Sequence, residues 1–168
     1  YNFEGDALIT NKKEFPIAIL TADCAPILIY DEKEKMIAAI HAGWKGAFKG
    51  IIKRTLNFMI KKGCTPKNIT AVIGPCISVK SYEVKKDFIK KLIKKDGKNK
   101  KFFKKIQSKD FFNLKKYIYS QLKTLNIKKI DIINKDTFNP KNNFFSARRS
   151  ISRKENDYGR NISVIMIN

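Results

Sequence analysis

The stretch "PILIYDEKEKMIAAIH" (residues 26–41) decides how this chain folds. Two apolar runs, "PILIYD" and "KMIAAIH", flank a charged turn, the pattern of two buried strands. A hairpin turning about Lys33–Glu34 sets Pro26 opposite His41. Cys24 is then the diagonal neighbour of His41 on the same face, with roughly 7–8 Å between α-carbons. A turn one residue longer or shorter sends the two side chains to opposite faces. His41 is the single histidine of the 168 residues, so its register bears directly on chemistry.

Working outward, "FPIAILTADC" reads as another buried strand, broken from "PILIYD" at Ala22–Ala25. "AFKGIIKRTLNFMIKKG" places Phe48, Ile51, Ile52, Leu56 and Met59 at helical spacing, with Gly63 as C-cap. "TPKNITAVIGP" becomes a strand ending at Gly74–Pro75. "SYEVKKDFIKKLIKK" reads as a basic amphipathic helix with Val84, Phe88, Ile89, Leu92 and Ile93 inward. The lysine-rich stretch 96–109 reads as a loop or short helix. "FFNLKKYIYSQLKTLNI" is a helix, "KKIDIIN" a strand, residues 135–159 a loop, and "RNISVIMI" a last strand. Strands and helices mix in an α/β (α+β) pattern, with no internal repeat and no linker. The expectation is one domain over residues 1–168. It opens directly into strand-like residues from Tyr1, so its N-terminal part reads as incomplete.

Composition narrows the function classes. At 43% apolar residues the chain can bury a substantial core, and no run is long and apolar enough to span a bilayer. Three scattered cysteines, Cys24, Cys64 and Cys76, do not make a disulfide framework, which favours a reducing, cytoplasmic setting. The net charge of +21 is almost all lysine, with arginine only at Arg54, Arg148, Arg149, Arg153 and Arg160. A dedicated nucleic-acid reader uses more arginine, whose planar fork grips phosphates and bases. The lysine excess therefore reads as a solvated, compositionally biased surface rather than a nucleic-acid interface.

Several residues around His41 carry the vocabulary of a site. A thiolate from Cys24 and an imidazole from His41 on one face can share a metal ion, at about 2.3 and 2.1 Å respectively. Asp23 adjoins the cysteine, where it can orient a ligand or relay a proton. Gly43 and Gly46 permit close backbone approach, Trp44 offers a flat face and Lys45 a charge for an anion. Cys76 ends a strand, the kind of terminus where α/β proteins build sites, although a small buried thiol explains it equally well.

The motifs "GDALIT" (5–10), "TADCAPILIYD" (21–31), "HAGWKG" (41–46), "IGPCI" (73–77) before "YEV" (82–84), "QLKTLNI" (121–127), "DTFNP" (136–140), "FFSARR" (144–149) and "GRNISVI" (159–165) occur in order. Together they resemble the YfiH family, also named the multicopper polyphenol oxidoreductase or laccase domain family, whose members are treated as zinc-dependent purine nucleoside enzymes. The resemblance implies an α/β/β/α layering, with mixed sheets packed together and helices outside. It implies that Cys24 and His41 match two of three metal ligands, the third being a histidine upstream of "DALIT". It also marks two departures: the family usually has arginine at Lys45, and often cysteine at Asp136.

Four functions compete on these residues. The first is phosphorolysis of adenosine or inosine with a zinc cofactor, and adenosine deamination at the same metal. Its substrate-binding residues are expected to be Gly43, Lys45, Tyr82 and Arg148, with nucleoside and phosphate as partners and Lys45 and Arg148 as phosphate cations. The second is copper-dependent polyphenol oxidation, which needs many imidazoles where this chain offers one. The third is a metal-free hydrolase or peptidoglycan-editing amidase, with Cys24 as nucleophile and His41 as base. The fourth is a polyanion-binding module resting on the lysine runs.

Overall fold

The computed structural model describes residues 5–168. Its centre is the hairpin of β3 (Ala25–Asp31) and β4 (Met36–Ala42), antiparallel, with Pro26 facing His41 and Asp31 facing Met36. Asp31 is fully buried and sets the turn. Its Oδ1 accepts the amides of Lys33 and Glu34 at 2.9 Å each, and its Oδ2 accepts Thr65 at 3.1 Å. A carboxylate that bonds its own turn fixes loop length, and loop length fixes which face each side chain takes.

Further strands extend the hairpin on both sides. β1 (Ala7–Thr10) pairs with β4, β5 (Ile69–Ile73) pairs with β3, and β8 (Lys129–Ile132) runs parallel to β5. The result is a mixed sheet in the order β1-β4-β3-β5-β8. The central strands are covered on both faces, which is why they are almost continuously apolar rather than alternating. One face meets α2 (Ile51–Lys61) and α4 (Leu114–Thr124), which bury Ile52, Leu56, Met59, Ile118 and Leu122 against Ile27, Ile29 and Ile40. The other meets a two-stranded ribbon of β2 (Ile17–Thr21) and β9 (Asn161–Ile165), whose Ile17 and Ile19 pack on Ile37 and Ala39.

The mixed α/β architecture with a flanked mixed sheet is as the sequence implied. Of the four layers implied by resemblance, the described residues supply three: helices, five-stranded sheet and ribbon. The outer face of the ribbon shows Leu20, Ile162 and Val164 exposed. No helix among the described residues is long and apolar enough to cross a membrane.

Local readings differ at four places, each for a physical reason. The helix expected from Ala47 is two helices, α1 (Trp44–Lys49) and α2, broken at Gly50 in a left-handed conformation with φ 85°. Only glycine takes that conformation without cost, so the glycine is a break and not a tolerated interior residue. The helix expected over residues 81–95 is confined to α3 (Lys86–Lys95). Residues 82–84 instead run beside the next hairpin, with the Phe112 amide donating to the Tyr82 carbonyl at 3.0 Å and the Val84 amide to that of Asp110 at 2.8 Å. The lysine-rich stretch is a 3₁₀ turn (Gly97–Phe102) and a hairpin of β6 (Phe103–Ile106) and β7 (Lys109–Phe112), anchored by buried Phe102 and Phe112. Finally, α5 (Ala147–Ser152) emerges from the expected loop, capped by Ser146 Oγ accepting the Arg149 amide at 3.1 Å.

Leu56 is fully buried between α2 and the sheet. Leu56→Ala is expected to cost about 2–5 kcal/mol, measured as a shift in the urea midpoint at constant slope. A loss under about 1 kcal/mol would contradict this packing.

Candidate functional site

The end of β4 and the break before β3 bring two metal-ligand types together. His41 is the penultimate residue of β4, and Cys24 follows Asp23, which bends the chain with φ 79°. Between them passes Gly43. A methyl group on Gly43 would stand 2.7 Å from Cys24 Sγ and 3.9 Å from His41 Nε2. Sulfur and ring nitrogen thus flank one point, and the glycine is what leaves room for both. Behind the imidazole, Asp6 Oδ1 lies 3.5 Å from Nδ1, and the His41 amide donates to the Asp6 carbonyl at 2.8 Å. A carboxylate beside Nδ1 orients the ring so that Nε2 is the atom offered to a ligand.

Cys24 sits where its thiolate is disfavoured. Burial pushes its thiol up to about 11, and the carboxylates of Asp23 and Asp6 add to the effect. Among the described residues, no group of three His, Cys, Asp or Glu side chains converges as a metal cage. Cys24 and His41 are two donors.

Asp23 holds the loops around this point. Its buried carboxylate accepts Thr137 Oγ1 at 2.6 Å, Ser146 Oγ at 2.9 Å and the Arg148 amide at 2.7 Å. These three bonds tie Asp23 to the loop at Thr137 and to the start of α5, the contacts of a positioning residue. Asp136 ties the next loop in a similar way. It accepts Ser78 N and Oγ, Ser81 Oγ and the Phe138 amide. Burial pushes that carboxyl up, but these bonds outweigh it and hold it below the usual range.

A cavity of about 160 Å³ opens beside Cys24, lined by Asp23, Trp44, Tyr82 and Arg148 among others. It continues into an outer groove of about 530 Å³ that shares Trp44, Tyr82 and Arg148 and reaches Glu83 and Lys85. The guanidinium of Arg148 lies 5.4 Å from the centre of the Tyr82 ring, and its Nη1 donates to the Glu83 carbonyl at 3.0 Å. Burial, with Cys24 next in weight, pushes the Tyr82 phenol far above its ordinary value, so it is a donor at neutral pH.

The structure therefore brings Cys24, His41, Asp23, Gly43, Tyr82 and Arg148 to one region. It does not bring Lys45 there. The Lys45 ammonium lies 5.9 Å from the Trp44 ring centre and lines a separate cavity with Phe48, Lys49 and Lys91. Cys76 and Cys64 are buried: the Cys76 thiol donates to the Ile77 carbonyl, and that of Cys64 to Met36. The sequence reading did not single out Asp6, Thr137 or Ser146. Only Ser146 carried a local signal, as a capping serine three residues before Arg149.

Residues 2–168 match the family described as multi-copper polyphenol oxidoreductase laccase, and the chain belongs to that family. It is 38% identical to a purine nucleoside phosphorylase of Rickettsia conorii over 161 residues, 95% of this chain and 66% of that protein. It is 35% identical to a purine nucleoside phosphorylase of Haemophilus influenzae over 167 residues, 98% of this chain and 65% of that one. The fold matches the crystal structure of the Bacillus licheniformis protein YfiH with a TM-score of 0.86 and 30% identity. That match covers 97% of this chain and 61% of YfiH. The chain spans just under two thirds of the length of these relatives.

Asp23→Asn keeps one acceptor but sets an amide NH₂ against donors that cannot all reverse. It is expected to cost about 1–3 kcal/mol and to speed hydrogen exchange at the Arg148 amide. Unchanged urea stability and unchanged exchange would contradict the bonding described.

Proposed function

We propose that the groove holds a purine nucleoside and that this chain carries the core of a zinc-dependent nucleoside phosphorylase acting on adenosine or inosine. The observation that supports the reading most is the meeting of Cys24 Sγ and His41 Nε2 at Gly43, with Cys24 itself lining the aromatic groove. The names carried by the relatives point the same way.

Cys24 and His41 suit zinc, which takes thiolate and imidazole together, and a third protein ligand would complete a catalytic set with one open position. Zinc held there would supply a Lewis acid beside the groove. The chain's own residues do the rest. Asp6 steadies the imidazole, and Gly43 keeps the space beside Sγ clear. Trp44 and Tyr82 offer flat walls to a purine. Arg148, fixed by Tyr82 and the Glu83 carbonyl, is the cation that lines the cavity beside Cys24 and takes the phosphate bidentately. Asp23 couples these parts, because it bonds the Arg148 amide and adjoins Cys24 in sequence.

The alternatives fit these residues less well. A metal-free dyad needs a thiolate near neutral pH, whereas burial, helped by the carboxylates of Asp23 and Asp6, pushes the Cys24 thiol up to about 11. Multicopper oxidation asks for a histidine-rich cluster, and the 168 residues contain one histidine. Adenosine deamination stays within the same reading as a second activity of the site.

The product of the complete gene is expected to release hypoxanthine from inosine and adenine from adenosine only when phosphate is present. Cys24→Ala and His41→Ala should each lower kcat by at least about 100-fold, and Asp6→Ala should weaken zinc by about 10–100-fold. Arg148→Ala should raise the KM for phosphate by about 10-fold or more. Inosine formed from adenosine without phosphate would reveal the deaminase. Base release that persists after exhaustive chelation would overturn the metal reading and favour the dyad.

A further inference from the structure

In a cavity that shares Trp44 with the groove, three lysines gather beside two aromatic rings. Lys45, Lys49 and Lys91 line a cavity of about 220 Å³ with Trp44 and Phe48. The ammonium groups of Lys45 and Lys91 lie 5.9 and 5.8 Å from the Trp44 ring centre, and Lys91 is also 5.6 Å from that of Phe48. Lys95 stands 4.2 Å from the Phe48 ring centre and donates to the Phe48 carbonyl. Among the described residues, no carboxylate lies within 4 Å of any of these four ammonium groups.

Lys45, Lys49 and Lys91 around this cavity, with Lys95 over the adjoining Phe48 ring, repel one another, and an anion placed between them relieves that repulsion. The rings hold the lysine stems in place and lower the hydration of the ammonium groups, which strengthens their hold on an anion. Lysine is a point charge with mobile donors, suited to the spread oxygens of a phosphate chain rather than to one planar carboxylate. The cavity is below the size of ordinary drug-like pockets, so it takes phosphate groups rather than a whole nucleotide. A single phosphate carries too little charge to answer all four cations.

We propose that Lys45, Lys49, Lys91 and Lys95 form a binding site for a chain of two or more phosphates, in a cavity that meets the nucleoside groove at Trp44. The chain comes either from free oligophosphate or from the tail of a nucleoside polyphosphate. The proposal does not depend on the phosphorylase reading, because none of the four lysines lines the groove beside Cys24. Trp44 is the sole tryptophan and lines both this cavity and the groove, so its fluorescence reports on either site, and the lysine and Arg148 variants tell the two apart.

Titration with tripolyphosphate at low salt should give a saturable change in Trp44 fluorescence. Lys49→Ala/Lys91→Ala should weaken binding by about 10-fold or more and flatten its salt dependence. Lys104→Ala/Lys105→Ala, an equal charge loss on exposed lysines of the β6–β7 hairpin, should leave binding within about twofold, and so should Arg148→Ala in the groove. ATP binding as tightly as tripolyphosphate would assign a free chain, and tighter ATP binding a nucleotide tail. The proposal is overturned if there is no saturable change, if orthophosphate binds as well as tripolyphosphate, or if the control pair loses as much. It is also overturned if an RNA oligonucleotide outcompetes tripolyphosphate through the same lysines.

Discussion

One buried carboxylate, that of Asp23, ties together the pieces on which the site depends. It sits in a left-handed bend between β2 and β3, and three donors from residues 137–148 reach across the chain to it. The bend directs Cys24 toward Gly43, and the bond to the Arg148 amide holds that arginine at a fixed distance from that cysteine. Hydrogen bonds to a charged acceptor are the stronger kind, at about 1.5–3 kcal/mol each, and leaving the donors unpaired in a buried place costs more than the bonds gain. A single side chain therefore orders sequence segments more than a hundred residues apart. The register of β3 on β4, set by Asp31, supplies the other half by turning His41 to the same side.

The charges of the site and of the surface have opposite logic. The chain as a whole is strongly basic, yet two carboxylates, Asp6 and Asp23, flank the one thiol that faces the groove. For an isolated cysteine that is an unfavourable place, since burial and neighbouring negative charge both oppose ionisation. A bound cation inverts the balance by making the thiolate the favoured form and the carboxylates its support. Such local conflict is expected where function, not folding, selected the residues. In the cavity beside Trp44, lysines with no carboxylate within 4 Å among the described residues create the complementary conflict, which an anion would relieve.

Much of this was legible from the residues, and what was not has identifiable causes. The β3–β4 hairpin could be read because both strands are covered on both faces and so announce themselves as apolar runs. The pairing of Pro26 with His41 followed from the turn alone. The hairpin at residues 103–112 could not be read, because exposed lysines mask an alternation whose inward residues are few. Gly50 looked like an interior helix residue until its left-handed backbone was seen. Asp6 was hidden for a different reason: it meets His41 only through the pairing of β1 with β4, a contact no local pattern encodes. Lys45 adjoins Trp44 in sequence, yet its side chain lines the cavity with Phe48, Lys49 and Lys91.

The claim that Cys24 and His41 together hold a zinc ion is tested most directly by X-ray absorption at the zinc edge on the protein purified from its complete gene. One zinc per chain, with one sulfur at about 2.3 Å and imidazole nitrogen at about 2.0–2.1 Å, is the predicted result, and the sulfur shell should vanish in Cys24→Ser. Zinc bound without a sulfur neighbour, or a sulfur shell unchanged in Cys24→Ser, would contradict it.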